Sequence, residues 1–255
     1  MTYASWPSAY FTRIRTTFLE SWPESLLALA IPHIHLPLTP SEAEALACSP
    51  PLWREQLVDT DPAGIHAIAA RLQQVIEGTQ QGVFLRLGSG SPKDSALFHY
   101  HRGRARTAVM GLKFLQTSQR TRSHLSRIIQ LGHPIHLFVR RWEQIPPWQE
   151  FRCFMKNRRL VGISQIAHQG DEPDYSLASI AEEMTRTLQA FFTRVAEASH
   201  LSSMVCDVWC SPGAAEGAPS RVYLLDANPW GLLSDACLFD WGKPEGFDGS
   251  FRYLK

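Results

Sequence analysis

The chain has 255 residues, 44% of them hydrophobic and 19% charged, enough to bury a core as one large domain or two smaller lobes. Its 25 Lys and Arg balance 24 Asp and Glu, so there is no chain-wide basic footprint of a nucleic-acid binder, although a local patch stays open. No apolar run reaches the ~18 to 20 residues that span a bilayer, residues 1–22 lack a secretory apolar core, and the five cysteines, odd in number and without a CxxC pair, read as reduced thiols of a cytoplasmic protein.

Residues 1–80 read as a mostly helical N-terminal part. SEAEALA (41–47) opens with Ser41 as an N-cap and an acidic first turn. GIHAIAARLQQVIEGT (64–79) sets Ile65, Ile68, Leu72, Val75 and Ile76 at helical spacing before Gly78. IPHIHLPL (31–38) reads as a short extended piece pinned by prolines.

A phosphate-loop lobe is expected over 81–134. GVFLRLGSGSPKDSALFHYH (82–101) predicts a strand, a Gly/Ser loop and a second extended segment, and GLKFLQTSQRTRSHLSRIIQLG (111–132) two short helices broken near Thr117 and Ser118. The cations Lys113, Arg120, Arg122 and Arg127 read as a solvated helix face rather than a nucleic-acid groove. Residues 135–255 are expected to form the C-terminal lobe. Strands are predicted over 133–142, 149–156 and 158–167, the last two as a hairpin turning at Lys156-Asn157-Arg158. SLASIAEEMTRTLQAFFTRVAEASH (176–200) carries one apolar stripe of Ile180, Met184, Leu188, Phe191, Phe192 and Val195. Two final strands, 202–210 and 220–227, flank a small-residue tip. Helices first, then antiparallel strands around one long helix, give an α+β class.

The last strand ends in Asp226, Ala227, Asn228 and Pro229. Residues two apart on a strand share a face, so Asp226 and Asn228 point together, and hairpin pairing would bring Asp207 alongside Asp226. Two carboxylates repel, and burying them unpaired costs several kcal/mol each. A hard cation resolves that conflict, and oxygen ligands suit Mg²⁺ holding a phosphate; the alternative is a plain turn start. Arg86 precedes a Gly/Ser loop whose N–H groups, with Ser89 and Lys93, could cradle phosphates. Glu150 and Arg152 share one strand face, and Arg140, Arg141 and Trp142 end another strand. The pairs His33/His35, His99/His101 and His133/His136 show no third zinc ligand.

These pieces in this order resemble the ATP-grasp fold, and within it the cell division cycle protein 123 family. The resemblance rests on Ser91-Pro92-Lys93-Asp94, Phe114-Leu115 with Thr117-Ser118, Val139-Arg140-Arg141-Trp142, and Glu150-Phe151-Arg152-Cys153-Phe154. It continues through Gly162-Ile163-Ser164-Gln165, Asp226-x-Asn228-Pro229-Trp230, Asp235 and Leu238-Phe239-x-Trp241, covering roughly 84–254. It implies ATP with Mg²⁺ in a cleft between two α+β lobes with antiparallel sheets. Asp207, Asp226 and Asn228 would be the metal ligands, and Arg152 with Lys93 would meet phosphate and carry any catalysis. Glu150 and Gln165 would line the nucleotide pocket, and Arg140 to Trp142 would form the hinge. Arg86 stands where the family has a lysine, which keeps the charge but broadens the donor; Gly88 and Ser89 stand where the family has Asn and Trp. The chain is shorter than eukaryotic members and lacks their acidic C-terminal extension, which suggests a compact, bacterial-type relative.

Two functions follow from the resemblance. The leading one is an ATP-dependent ligase of the acyl-phosphate type, or a phosphoryl transferase, acting on an unknown acceptor. The alternative is an assembly chaperone that clamps a protein partner with ATP·Mg as structural cofactor, as eukaryotic members do for translation initiation factor 2. Against the ligase, D-alanine–D-alanine ligases carry an arginine two residues before the metal-binding Asp, where this chain has Val205.

Overall fold

The computed structural model describes residues 8–47, 62–168, 171, 176–213 and 220–254. The chain divides into two compact units, Met1–Ser8 with Pro32–Glu143 and Ala9–Ile31 with Gln144–Lys255. Two short helices, α1 (Ser8–Ile14) and α2 (Glu24–Leu27), precede the first strand.

The first unit holds β1 (His33–Leu38), α3 (Pro40–Ala47), α4 (Pro62–Glu77), β2 (Val83–Leu87) and α5 (Ala96–Tyr100). It continues with α6 (Ala108–Thr117), α7 (Gln119–Gln130) and β3 (Ile135–Arg141). Its sheet runs β1-β3-β2, all antiparallel. Leu85, Leu87, Leu137 and Val139 are buried; α6 approaches β2 closely at Gly111, where a Cβ would sit 2.6 Å from Leu85 Cδ1.

Local polar chemistry sets the helix ends. Thr39, not Ser41, starts α3. Its N–H donates to Glu42 Oε2 at 2.8 Å and its hydroxyl accepts from Glu42 N–H at 3.2 Å, a reciprocal capping box. Pro40 takes the first helical position, where a missing N–H is harmless. The break between α6 and α7 falls at Ser118, whose Oγ accepts from Thr121 N–H at 2.9 Å. The predicted extended segment after the Gly/Ser loop is the helix α5 instead, because buried Ser95 caps it by accepting from Phe98 N–H at 3.2 Å.

The second unit adds β4 (Glu150–Lys156), β5 (Arg159–Gln165), α8 (Ser176–Ala198), β6 (Met204–Ser211), β7 (Arg221–Pro229) and β8 (Phe251–Arg252). Its sheet order is β7-β6-β4-β5-β8. The β4–β5 hairpin turns as the sequence predicts, with positive φ at Asn157 (49°) and Arg158 (61°), the geometry that matches strand twist. The stripe of α8 is buried through Met184, Leu188, Phe191, Phe192 and Val195, with Ile180 half-buried. Met184 Sδ meets Cys210 Sγ of β6 at 3.6 Å.

Unit membership departs from the linear reading at two places. Ile135–Arg141 pairs with β1 and β2, so it closes the first unit rather than opening the C-terminal lobe. Residues 9–31 belong to the second unit. There Leu224 N–H donates to Leu29 O at 2.9 Å, and Ile31 packs with Trp209 and Leu225. Among the described residues no helix is long and apolar enough to cross a membrane.

Candidate functional site

A polar row crosses the sheet of the second unit. Register sets Ser164 opposite Arg152, Arg152 opposite Asp207, and Asp207 opposite Asp226. Directly opposed residues share a face with their side chains adjacent, so the predicted alignment of the two aspartates is realised. Asn228 follows Asp226 on the same face, opposite Val205. A β-bulge lies between Asp207 and Val208, where Leu225 is the extra residue of β7. Such a bulge sharpens the local twist beside the carboxylates.

Arg152 grips Asp207 with two parallel bonds, Nε to Oδ1 at 2.8 Å and Nη2 to Oδ2 at 2.9 Å, and gives a third from Nη1 to Asp235 O at 3.1 Å. Asp207 is 8% exposed. Burial pushes its pKa up, the Arg152 bonds pull it back only in part, and the Asp226 charge pushes the same way as burial. For Arg152, burial alone would weaken the charged form, but the bonds to Asp207 override it and hold the guanidinium ionised. Both oxygens of Asp207 are engaged, yet a carboxylate offers about four lone-pair sites, so further coordination is chemically open. Asp226 and Asn228 are half-buried; Asp226 Oδ1 accepts from Ala227 N–H at 3.0 Å.

The segment after β7 supplies groups that linear motif reading did not place at the row. Asp235 Oδ1 accepts from Cys237 N–H at 2.9 Å, and its Oδ2 meets His168 Nε2 at 2.7 Å. Cys237 is half-buried beside Arg152, and burial pushes its thiol up to about 11. Ser164 Oγ accepts from Leu238 N–H at 3.2 Å. β8 sets Arg252 beside Ser164, with its guanidinium 3.9 Å above the Phe239 ring. The signal for Asp235 was its place in the motif string; nothing in the sequence reports a two-residue parallel β8.

Val205 is fully buried with Phe154 and Phe239, and Trp230, Trp241 and Phe247 pack against that cluster. Trp230 therefore belongs to an aromatic core. Glu150 lies on the Arg152 face, in register with Trp209. Gln165 pairs with Phe151 and so faces the other way; it is buried, with Oε1 accepting from Leu254 N–H at 3.1 Å. The structure does not bring Glu150 and Gln165 to one pocket.

The remaining nominated residues lie in the first unit. Arg86 is buried, opposite Phe138, and its Nε donates to Leu87 O at 3.0 Å. Arg140 lies over the Phe84 ring at 4.3 Å, on the same sheet face as Arg86. Arg141 pairs with Glu143. Trp142 donates from Nε1 to Arg102 O at 3.0 Å and lies under Arg104 at 4.9 Å. In the Gly/Ser loop, Leu87 and Gly90 exchange backbone bonds, and Ser89 Oγ meets His124 Nδ1 at 3.1 Å. Lys93 is exposed. Asp94 binds Ser118 Oγ at 2.5 Å and Arg120 N–H at 2.9 Å, at the start of α7.

Among the described residues no group of three or more His, Cys, Asp or Glu side chains is placed to hold a metal, the paired histidines included. Cys153, Cys206, Cys210 and Cys237 are free thiols; Cys48 lies outside the described residues.

Fold comparison defines the class first. The structure of Cdc123 from Schizosaccharomyces pombe superposes with a TM-score of 0.73 over 97% of this chain and 95% of that one, at 18% identity. The mixed α+β architecture is thus that of Cdc123. The family model D123 matches residues 54–246, and the chain belongs to the D123 family. A cell division cycle protein 123 of Phaeosphaeria nodorum is 32% identical over 109 residues, 42% of this chain and 26% of that protein. The translation initiation factor eIF2 assembly protein of Xenopus tropicalis is 32% identical over 110 residues, 42% of this chain and 30% of that protein. The match therefore spans less than a third of these relatives' own length. They are eukaryotic, and the expectation of a bacterial-type member finds no support among them.

Proposed function

We propose that the chain is a non-catalytic assembly factor that clamps a protein partner and takes ATP·Mg as a structural cofactor on the Asp226 face of its second unit. The observation that carries this reading is the pairing of Asp207 with Asp226 beside the Arg152 guanidinium. The register sets two like charges side by side, one buried and one half-buried, and the donors are hard oxygens of the kind Mg²⁺ takes. Asp207, Asp226 and Asn228 would hold the ion, which would neutralise the like charges and attract phosphate. On this reading the fold is an ATP-grasp fold.

The relatives' names favour holding over turnover, since several are called eIF2 assembly proteins. The ligase expectation gives way to that alternative, and the proposed partner is eIF2 or its local equivalent. Val205 supports the same choice, because the position that carries an arginine in D-alanine–D-alanine ligases lies here in a dry aromatic cluster. The test is calorimetry with ATP, with and without Mg²⁺, on the wild type and on Asp226→Ala. The expected result is Mg²⁺-dependent binding that falls at least tenfold in the variant, with ATP recovered intact and eIF2 co-eluting. Equal affinity in both proteins removes Asp226 from the site, and partner-dependent release of ADP restores the ligase.

A further inference from the structure

The basic residues of this near-neutral chain are segregated. Between Gly78 and Trp142 the sequence carries eleven Lys and Arg against one acid, Asp94. That acid is consumed locally by Ser118 and the Arg120 amide at the start of α7. The stretch is therefore locally rich in cations, which the whole-chain balance conceals.

The turn from α5 to α6, His99-Tyr100-His101-Arg102-Gly103-Arg104-Ala105-Arg106, concentrates this charge around an aromatic ring. Tyr100 is 82% exposed, and Leu97 on the same short helix is 38% exposed. An aromatic ring exposed to that degree gives up most of its burial energy. The Tyr100 and His101 rings lie 4.9 Å apart. Arg102 and Arg106 are exposed, and among the described residues neither is paired with a carboxylate. Arg104 has a different task, with Nε donating to Gln81 O at 2.6 Å and its guanidinium over Trp142.

The turn is held in one shape. Gly103 N–H donates to Phe98 O at 2.7 Å, Arg104 N–H to His101 O at 3.0 Å, and Arg102 O accepts from the Trp142 indole. Arg102 has φ 52°, a left-handed conformation costly for a side chain of its kind. At Gly103 (φ 71°) a Cβ would lie 2.7 Å from Phe98 Cζ, so no other residue fits without displacement. A strained backbone pinned by neighbours thus presents one open ring on the same turn as two exposed guanidinium groups.

We propose that this turn is a binding site for single-stranded RNA, with a base stacked on Tyr100 and phosphates on Arg102 and Arg106. Stacking on exposed aromatics combined with backbone phosphate contacts is the chemistry by which single strands are held without sequence readout. An acidic peptide would use the cations but would leave the ring without a comparable role. The site lies wholly in the first unit and does not depend on the proposed nucleotide face.

Fluorescence anisotropy of a labelled mixed-sequence RNA 12-mer, titrated with the full chain in EDTA without nucleotide, tests the proposal. With two phosphates engaged at about 0.7 counterions each, affinity should fall about sevenfold between 50 and 200 mM salt. Tyr100→Ala should weaken binding about tenfold. Arg102→Gly combined with Arg106→Ser should weaken it further, and glycine at 102 suits the positive φ, so the turn keeps its shape. Unchanged thermal melting of both variants shows that folding is intact. The proposal is overturned by the absence of binding at 50 mM salt, or by wild-type affinity in the Arg102/Arg106 variant. It is also overturned if poly-glutamate displaces the RNA at equal charge concentration and Tyr100→Ala has no effect, which would mark an acidic protein surface instead.

Discussion

Arg152→Met separates the charge of the row from its packing, because methionine keeps most of the apolar stem and removes the guanidinium. Removing one partner of a buried ion pair costs about 3–5 kcal/mol, most of it the penalty of the charge left behind. Here the side chains of Arg152 and Asp207 are 15% and 11% exposed, which places the loss near the lower end, about 3 kcal/mol. For a chain of this size that is a fall in melting temperature of about 6 to 12 °C at pH 7.5. The pH dependence follows from the sign of the Asp207 shift. Its pKa in the folded state is raised, so its favourable contribution is present in acid and is lost as pH rises through the folded value. Without Arg152 the pKa rises further, so the gap between variant and wild type should narrow as pH falls from 7.5 to 5. Adding Asp207→Asn to Arg152→Met should recover most of the loss, since no buried charge is then left unpaired. Scanning fluorimetry across pH on the four proteins of this cycle reads all three effects. A shift below about 2 °C, or a second substitution that destabilises further at neutral pH, would refute the reasoning.

Two further outcomes test one local support in each unit. Gly162→Ala should destabilise by about 1–3 kcal/mol in chemical denaturation, because its Cβ would fall 2.7 Å from Phe239 Cζ and 3.3 Å from Phe154 Cδ2; Phe239→Leu in that background should return part of the loss. In the first unit, the Ser118 and Arg120 bonds outweigh burial and hold Asp94 below its ordinary carboxylate range, so its contribution is present above the unfolded pKa and lost as pH falls through the folded one. Asp94→Asn should therefore cost roughly 1–2 kcal/mol at pH 7, and its melting curve should converge with wild type in acid.

The sequence showed most of the strands because their alternation is strong and their ends carry turn residues. Asp226 and Asn228 stood out because carboxylate and amide at one end of an apolar strand have few reasons to be there. Their partner across the sheet was also readable, since a hairpin leaves little freedom in register once Asp207 and Asp226 both close an apolar run. Other features depended on contacts remote in sequence. Arg152 reads in the sequence as an arginine reaching for phosphate, but its pair of hydrogen bonds to Asp207 follows from β4 lying between β5 and β6. That Gln165 faces away from Glu150 and Arg152 was not readable from motif likeness, because one residue of strand register reverses a face. Helix α5 was missed because five residues carry no period, and its cap, Ser95, reads equally well as loop. Ile135–Arg141 was assigned forward in the chain, although its pairing is with the two strands that precede it.

The state of Arg152 bears on whether such a row turns over a substrate or retains one. Acyl and phosphoryl transfer are accelerated by donors aimed at charge that appears only in the transition state. The Arg152 guanidinium is already committed to Asp207 through two bonds and to Asp235 O through a third, before any ligand arrives. Releasing it would strand Asp207 in a site where burial already opposes its charge. Val205, the next position along the same face of β6, offers no replacement cation and is locked among Phe154 and Phe239. On the proposed reading, a cation spent on a resident carboxylate is not free to meet charge that appears only in a transition state, which is what a site that holds its ligand would need.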